Sequence, residues 1–168
     1  FTTLPVEELL RTEDFSELLR QLEATLYADI GRQARAAFET EHDLFAVDTT
    51  VDRRYFNGLL NRAVRIADRQ GKLFSELIAS IIDRVNLVWL LRYRFVYRLP
   101  PAQAFYLLVP SHHTLLHTDK LSALIKLESF EEVLAALPMP LQGQLAGLTD
   151  TFTVIQRLER RTCDAARR

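Results

Sequence analysis

Residues Asp83 to Arg94 read DRVNLVWLLRYR, which places charged and polar side chains inside a segment that is otherwise apolar. Successive residues of a helix are rotated by about 100°. One face therefore collects residues spaced by three and four positions, namely Asp83, Asn86, Leu90, Arg94 and Tyr97. An acid, an amide and a guanidinium at this spacing can share hydrogen bonds. The stretch predicts a buried helix whose polar groups specify one neighbour.

Arg92 falls on a different, apolar face of the same helix, where its guanidinium needs a carboxylate or carbonyl oxygens. An unpaired charge in the interior costs several kcal/mol, whereas paired interior charges are compatible with a stable core. We therefore expect the polar set to be a structural scaffold rather than a catalytic group, with the members Asp83, Asn86, Arg92 and Arg94.

The composition is that of a folded protein. The chain has 168 residues, of which 48% are hydrophobic and 26% charged, and this balance excludes disorder. The formal net charge is −1, so the chain has no general attraction to nucleic acid, and no nucleic-acid partner is expected. The single cysteine, Cys163, excludes an internal disulfide.

Helical spacing of apolar residues runs through most of the sequence, so we predict an all-α protein, a multi-helix bundle. One long helix is predicted from Asp14 to Phe38, opened by a capping box with Glu17 and bent at Gly31. Asp43 to Thr50 is predicted to be a linker, with a new helix beginning near Asp52. We expect residues 1–50 to be a first helical unit and residues 51–168 a second unit and the start of a third.

Two short segments resemble each other at a distance of 115 residues, which suggests an internal repeat. Asp14 to Leu22 and Ser129 to Leu137 share a capping residue, a phenylalanine, a glutamate and the apolar spacing. Ser129 and Glu132 form the same predicted capping box as Asp14 and Glu17. Pro100 and Pro101 are predicted to end the preceding long helix and begin a short one.

Four arginines recur on one side of the helix that follows residue 51, namely Arg54, Arg62, Arg65 and Arg69. A solvated face with local salt bridges is one interpretation of this stripe. The other is a docking surface for an acidic partner.

Three histidines within six residues, His112, His113 and His117, raise the alternative of a helical metal-dependent hydrolase. His113 and His117 would suit a divalent metal if the segment were helical, with Asp119 as a third ligand. Pro110 argues against a helix there, so no metal or other cofactor is expected. His42 and Asp43 form a doublet typical of helical phosphohydrolases, but no histidine precedes it.

Several of these stretches together resemble one family, the central-stalk adaptor of rotary V-type ATPases and ATP synthases. This adaptor is the C subunit of archaeal and bacterial complexes and the d subunit of the vacuolar one. The resemblance rests on VDRRYFNGLL at Val51 to Leu60, on the helix openings at Asp14 and Ser129, and above all on the stretch from Asp83 to Arg94, where the family pattern is matched at Asp83, Asn86, Leu90, Leu91, Arg92 and Arg94.

The resemblance implies a non-catalytic, cytoplasmic subunit that links the central shaft to the proteolipid rotor ring and transmits torque. Its membrane association would be indirect, through the ring. Family members are funnels of three related helical units and are longer than this chain, so we expect it to be a fragment of a longer, funnel-shaped subunit. The segment after Leu137 also lacks a counterpart of Tyr27. A generic helical interaction domain is a further alternative.

Overall fold

A computed structural model describes residues 4–66, 71–145, 147, 152–158 and 160. All regular secondary structure in this part of the chain is helical, which confirms the predicted all-α class. The chain divides into two compact units, Phe1–Gly58 and Leu59–Arg168. The boundary lies inside a helix rather than in a loop.

The first unit begins with α1 (Val6–Leu9), α2 (Phe15–Leu22) and α3 (Ala28–Glu41). Asp14 is the N-cap of α2, as predicted, and its carboxylate accepts a hydrogen bond from the Ser16 N–H at 3.1 Å. The predicted reciprocal bond from Glu17 is replaced by contacts of the Glu17 carboxylate with Arg20 and Gln21.

The prediction of one helix from Asp14 to Phe38 is wrong, because the chain turns between α2 and α3. The two helices pack side by side, and the rings of Phe15 and Phe38 meet edge to face with centroids 5.1 Å apart. The guanidinium of Arg35 binds the Glu23 carboxylate at 2.7 Å across the turn. The apolar spacing continues across this turn, which explains why the sequence reads as a single helix.

Gly31 lies within α3 where this helix packs against α2, so its role is packing rather than bending. A Cβ at Gly31 would lie 3.1 Å from the carbonyl oxygen of Leu19 and 3.2 Å from the amide nitrogen of Glu23. Leu19 and Ala34 are buried beside it, together with Val47 of the next helix. These contacts form the core of the first unit.

The linker predicted at Asp43 to Thr50 is also wrong, since α4 (Leu44–Ile66) covers it. The Asp43 carboxylate accepts a hydrogen bond from the Phe45 N–H, which fixes the helix start. The hydroxyl of Thr49 donates hydrogen bonds to the carbonyls of Phe45 and Ala46, so this β-branched residue is accommodated within the helix.

The second unit contains α5 (Lys72–Leu91), a π-helix (Arg92–Val96), α6 (Pro101–Tyr106), α7 (Thr118–Leu124), α8 (Phe130–Ala135) and α9 (Met139–Leu145), and residues 152–158 are also helical. Gly71 is the N-cap of α5. Pro100 caps α6 and Pro101 is its first residue, as predicted. α5 is the central element, because its residues from Asn86 to Leu91 are all buried.

The capping box of Ser129 and Glu132 is confirmed at the start of α8. The two segments compared as a repeat bury different positions, however. Leu19 is buried in α2 while its counterpart Leu134 is half-buried, and Val133 is buried while its counterpart Leu18 is half-buried. The internal repeat therefore stays a prediction.

Candidate functional site

The carboxylate of Asp83 lies on the buried face of α5, with 2% of the residue exposed. Its two oxygens accept hydrogen bonds from consecutive backbone amides, the Leu116 N–H at 2.6 Å and the Leu115 N–H at 3.0 Å. These amides belong to the loop that precedes α7. Leu116 is fully buried, so its N–H must find a partner within the protein, and Asp83 binds it together with the N–H of the exposed Leu115.

Burial raises the pKa of the Asp83 carboxyl above its ordinary value of 3.8. The amides of Leu116 and Leu115 oppose this shift, and the positive charges of Arg84 and His117 oppose it to a smaller extent. The desolvation of the carboxylate outweighs the bonds that favour its charge.

Asn86 lies one helical turn further along α5 and is fully buried. Its amide nitrogen donates to the Val109 carbonyl at 2.9 Å, and its amide oxygen accepts from the Val109 N–H at 2.8 Å. One side chain therefore satisfies both backbone groups of one residue, in the segment that leads from α6 to Pro110.

Arg94 holds a third segment by donating to carbonyl oxygens. Its Nε binds the carbonyl of Ile125 at 2.9 Å, and its Nη1 binds that of Leu99 at 2.9 Å. Its Nη2 lies 3.5 Å from the carbonyl of Leu127. Ile125 and Leu127 lie at the C-terminal end of α7, where helix carbonyls lack intrahelical partners and the helix dipole favours a cation.

The helix changes from α to π geometry around Arg94. The Tyr97 N–H donates to the carbonyl of Arg92, five residues earlier, at 2.8 Å, as a π-helix requires. Arg98 then adopts a left-handed conformation with a φ of 57°, and the helix ends.

Asp83, Asn86 and Arg94 thus all form hydrogen bonds from neighbouring turns of the helix. They do not bind one another, as the sequence suggested they could. Each binds the backbone of a different downstream segment. Arg92, the fourth member of the predicted scaffold, is half-buried within the π-helix. The sequence did not predict these backbone partners, because a backbone amide or carbonyl group does not depend on the type of residue that carries it.

The arginine stripe lies on α4. Arg62 and Arg65 are exposed, and neither forms an ion pair with any residue that the structure describes. Arg54 is half-buried, with Nη1 3.8 Å from the Asp29 carboxylate. Arg69 lies outside the described residues. Leu60 and Ala63 of the same helix are buried, whereas Tyr55 is exposed.

The histidines do not lie on a helix. His112 and His113 are exposed in the loop before α7, and His117 is the N-cap of that helix, so this segment is not helical, as Pro110 indicated, and it lacks the helical spacing that a metal pair would need. No group of three potential metal ligands occurs among the described residues. His42 is the left-handed C-cap of α3.

None of the helices in the described ranges is both long enough and apolar enough to cross a membrane.

Comparison with known proteins gives one consistent result. The family model of the ATP synthase (C/AC39) subunit matches residues 1–167. Among curated proteins, the chain is similar to the C subunit of the A-type ATP synthase of Methanothermobacter thermautotrophicus, with 26% identity over 87 residues. This match covers 52% of the chain and 23% of that relative's length. No solved structure matches the chain.

Proposed function

Because the chain belongs to the ATP synthase (C/AC39) subunit family, we propose that it is a non-catalytic rotor adaptor of a rotary ATPase. In this role it links the central shaft to the proteolipid ring and transmits torque between them. Its association with the membrane is indirect, through the ring.

The observation that carries this proposal concerns three polar residues, two on α5 and one on the π-helix that follows it. The side chains of Asp83, Asn86 and Arg94 bind backbone groups of their own chain. These bonds hold segments in place. A torque-transmitting subunit needs segments that keep their relative positions under load. We propose that this set is the scaffold that stiffens the second unit.

The exposed arginines of α4 are a candidate docking surface within this role. Arg62 and Arg65 project from a helix whose other side is buried, so a partner can approach them without disturbing the core. Their charge suits an acidic surface.

The adaptor role is tested by mixing the purified chain with shaft subunits and detergent-solubilised proteolipid ring from the same complex. We expect the three to co-migrate in size-exclusion chromatography, and the shaft and ring to separate when the chain is omitted. Failure of the chain to bind either one would contradict the proposal.

A further inference from the structure

A groove lies in the first unit, between α1 and the turn that joins α2 to α3. Its volume is about 260 Å³. Leu4, Pro5, Ala24 and Leu26 supply apolar walls, and Glu8 and Tyr27 add a carboxylate and a phenol ring. None of these residues belongs to the scaffold on α5 and the π-helix or to the arginine stripe.

Part of the lining of this groove is open to solvent. Leu26 is 74% exposed and Tyr27 37% exposed, although both line the groove. Exposed apolar side chains gathered at one concave site mark an interaction surface. The volume lies below the range of roughly 300–1,000 Å³ typical of small-molecule pockets, so the groove fits one or two side chains of a protein partner better than a cofactor.

The charge around the groove defines that partner further. Residues 4–27 contain six acidic residues and two arginines, and the whole first unit contains twelve acidic residues against six basic ones. The second unit has the opposite balance, with ten acidic and fifteen basic residues. The Glu8 carboxylate forms no ion pair with a described residue.

We propose that this groove binds a segment of a neighbouring subunit that presents a large apolar side chain beside an arginine. The apolar side chain fills the space between Pro5, Ala24 and Leu26. The arginine pairs with the carboxylate of Glu8 and lies against the ring of Tyr27, since a guanidinium recognises both a carboxylate and an aromatic face. This inference rests on the proposed function, which names shaft and ring subunits as the neighbours.

The test measures binding of the full chain to shaft subunits and to solubilised ring, each alone, for three variants. Glu8→Lys reverses the charge in the groove, and Ala24→Trp fills it. Glu7→Lys is the matched control, because it makes the same change of net charge one position away, on a residue that does not line the groove. Circular dichroism confirms that each variant is folded.

We expect Glu8→Lys and Ala24→Trp each to weaken binding to one of the two partners by about tenfold or more, while Glu7→Lys changes it by less than about threefold. Unchanged binding of both groove variants, or an equal loss with Glu7→Lys, would overturn the inference while leaving the adaptor role intact. If the unaltered chain binds neither partner, the adaptor role itself fails and the inference with it. A dimer of the chain alone that Glu8→Lys dissociates would also overturn it, because the occupant would then be a second copy.

Discussion

The side chain of Asn86 forms two hydrogen bonds with the backbone of Val109, one to its N–H and one to its carbonyl, across 23 residues of sequence. A neighbouring β-strand would make the same pair of bonds, but here a single side chain makes them from a helix. The segment before Pro110 is therefore held at full burial without regular secondary structure of its own.

Replacing Asn86 with Ala should leave both backbone groups of Val109 buried and without a partner. We expect the free energy of unfolding to fall by about 3 kcal/mol, since each unsatisfied buried group costs about 1–3 kcal/mol. Urea unfolding followed by circular dichroism measures the change. Gln142→Ala is the control, because its bond to the Ala135 carbonyl is exposed, and it should change stability by less than about 0.5 kcal/mol. Equal effects of the two substitutions would contradict this view of Asn86.

The titration of Asp83 should make stability depend on pH in a defined direction. Its pKa is raised by burial above 3.8, so in the acidic range the folded chain binds a proton that the unfolded chain releases. The stability contributed by this proton is present at low pH and is lost as pH rises through the pKa of the folded state. Asp83→Asn removes the titrating group and serves as the reference. The unfolding free energy of the unaltered protein minus that of Asp83→Asn should therefore fall as pH rises and then stay constant.

Urea unfolding of both proteins in steps from acidic to neutral pH measures this relative free energy. A value that grows with rising pH would show that the amides of Leu115 and Leu116 outweigh desolvation and lower the pKa instead.

Two helical glycines should respond to alanine in opposite ways. Alanine is favoured over glycine in a helix by about 1 kcal/mol. Gly58→Ala in α4 should gain most of this, because nothing lies within 4 Å of the added Cβ. Gly31→Ala should lose stability, because its Cβ would press on backbone atoms of Leu19 and Glu23, which cannot move independently of α2. Thermal unfolding of the pair measures both effects, and a stabilised Gly31→Ala would show that the packing of α2 on α3 is looser than described.

Charge reversal at Arg65 should weaken assembly without affecting folding, if α4 docks on an acidic partner. Arg65→Glu changes an exposed side chain that has no ion pair among the described residues, so the melting temperature should stay within a few degrees. Binding to the shaft or the ring should fall, and more steeply at low salt. Arg32→Glu in α3 is the control for net charge. Equal binding by the unaltered chain and Arg65→Glu would exclude this docking surface.

The sequence predicted those features that depend on local signals. The N-caps Asp14 and Ser129 and the proline pair at 100 and 101 act on their immediate neighbours, and all were read correctly. The buried polar face of α5 followed from spacing alone. The partners of that face did not, because backbone groups carry no residue signature and are brought together only by the tertiary fold.

The misread elements have equally specific causes. Leu22, Leu26 and Ile30 keep helical spacing across a turn that contains neither glycine nor proline, so the hairpin and the groove beside it were missed. Asp43 to Thr50 was predicted to be a linker, yet the hydroxyl of Thr49 within this stretch binds a carbonyl of its own helix. At the turn between α2 and α3, tertiary packing decides between conformations that local preference leaves close in energy.

The central claim is that side chains of one helix hold the segments that follow it in a fixed arrangement. Hydrogen exchange of individual backbone amides, followed by NMR, tests it most directly at Val109, Leu115 and Leu116, which lie outside regular secondary structure. We expect these three amides to exchange as slowly as those in the middle of α5, and the Val109 amide to lose this protection in Asn86→Ala. The claim would be contradicted if all three amides of the unaltered protein exchanged as fast as an exposed loop amide such as that of His112.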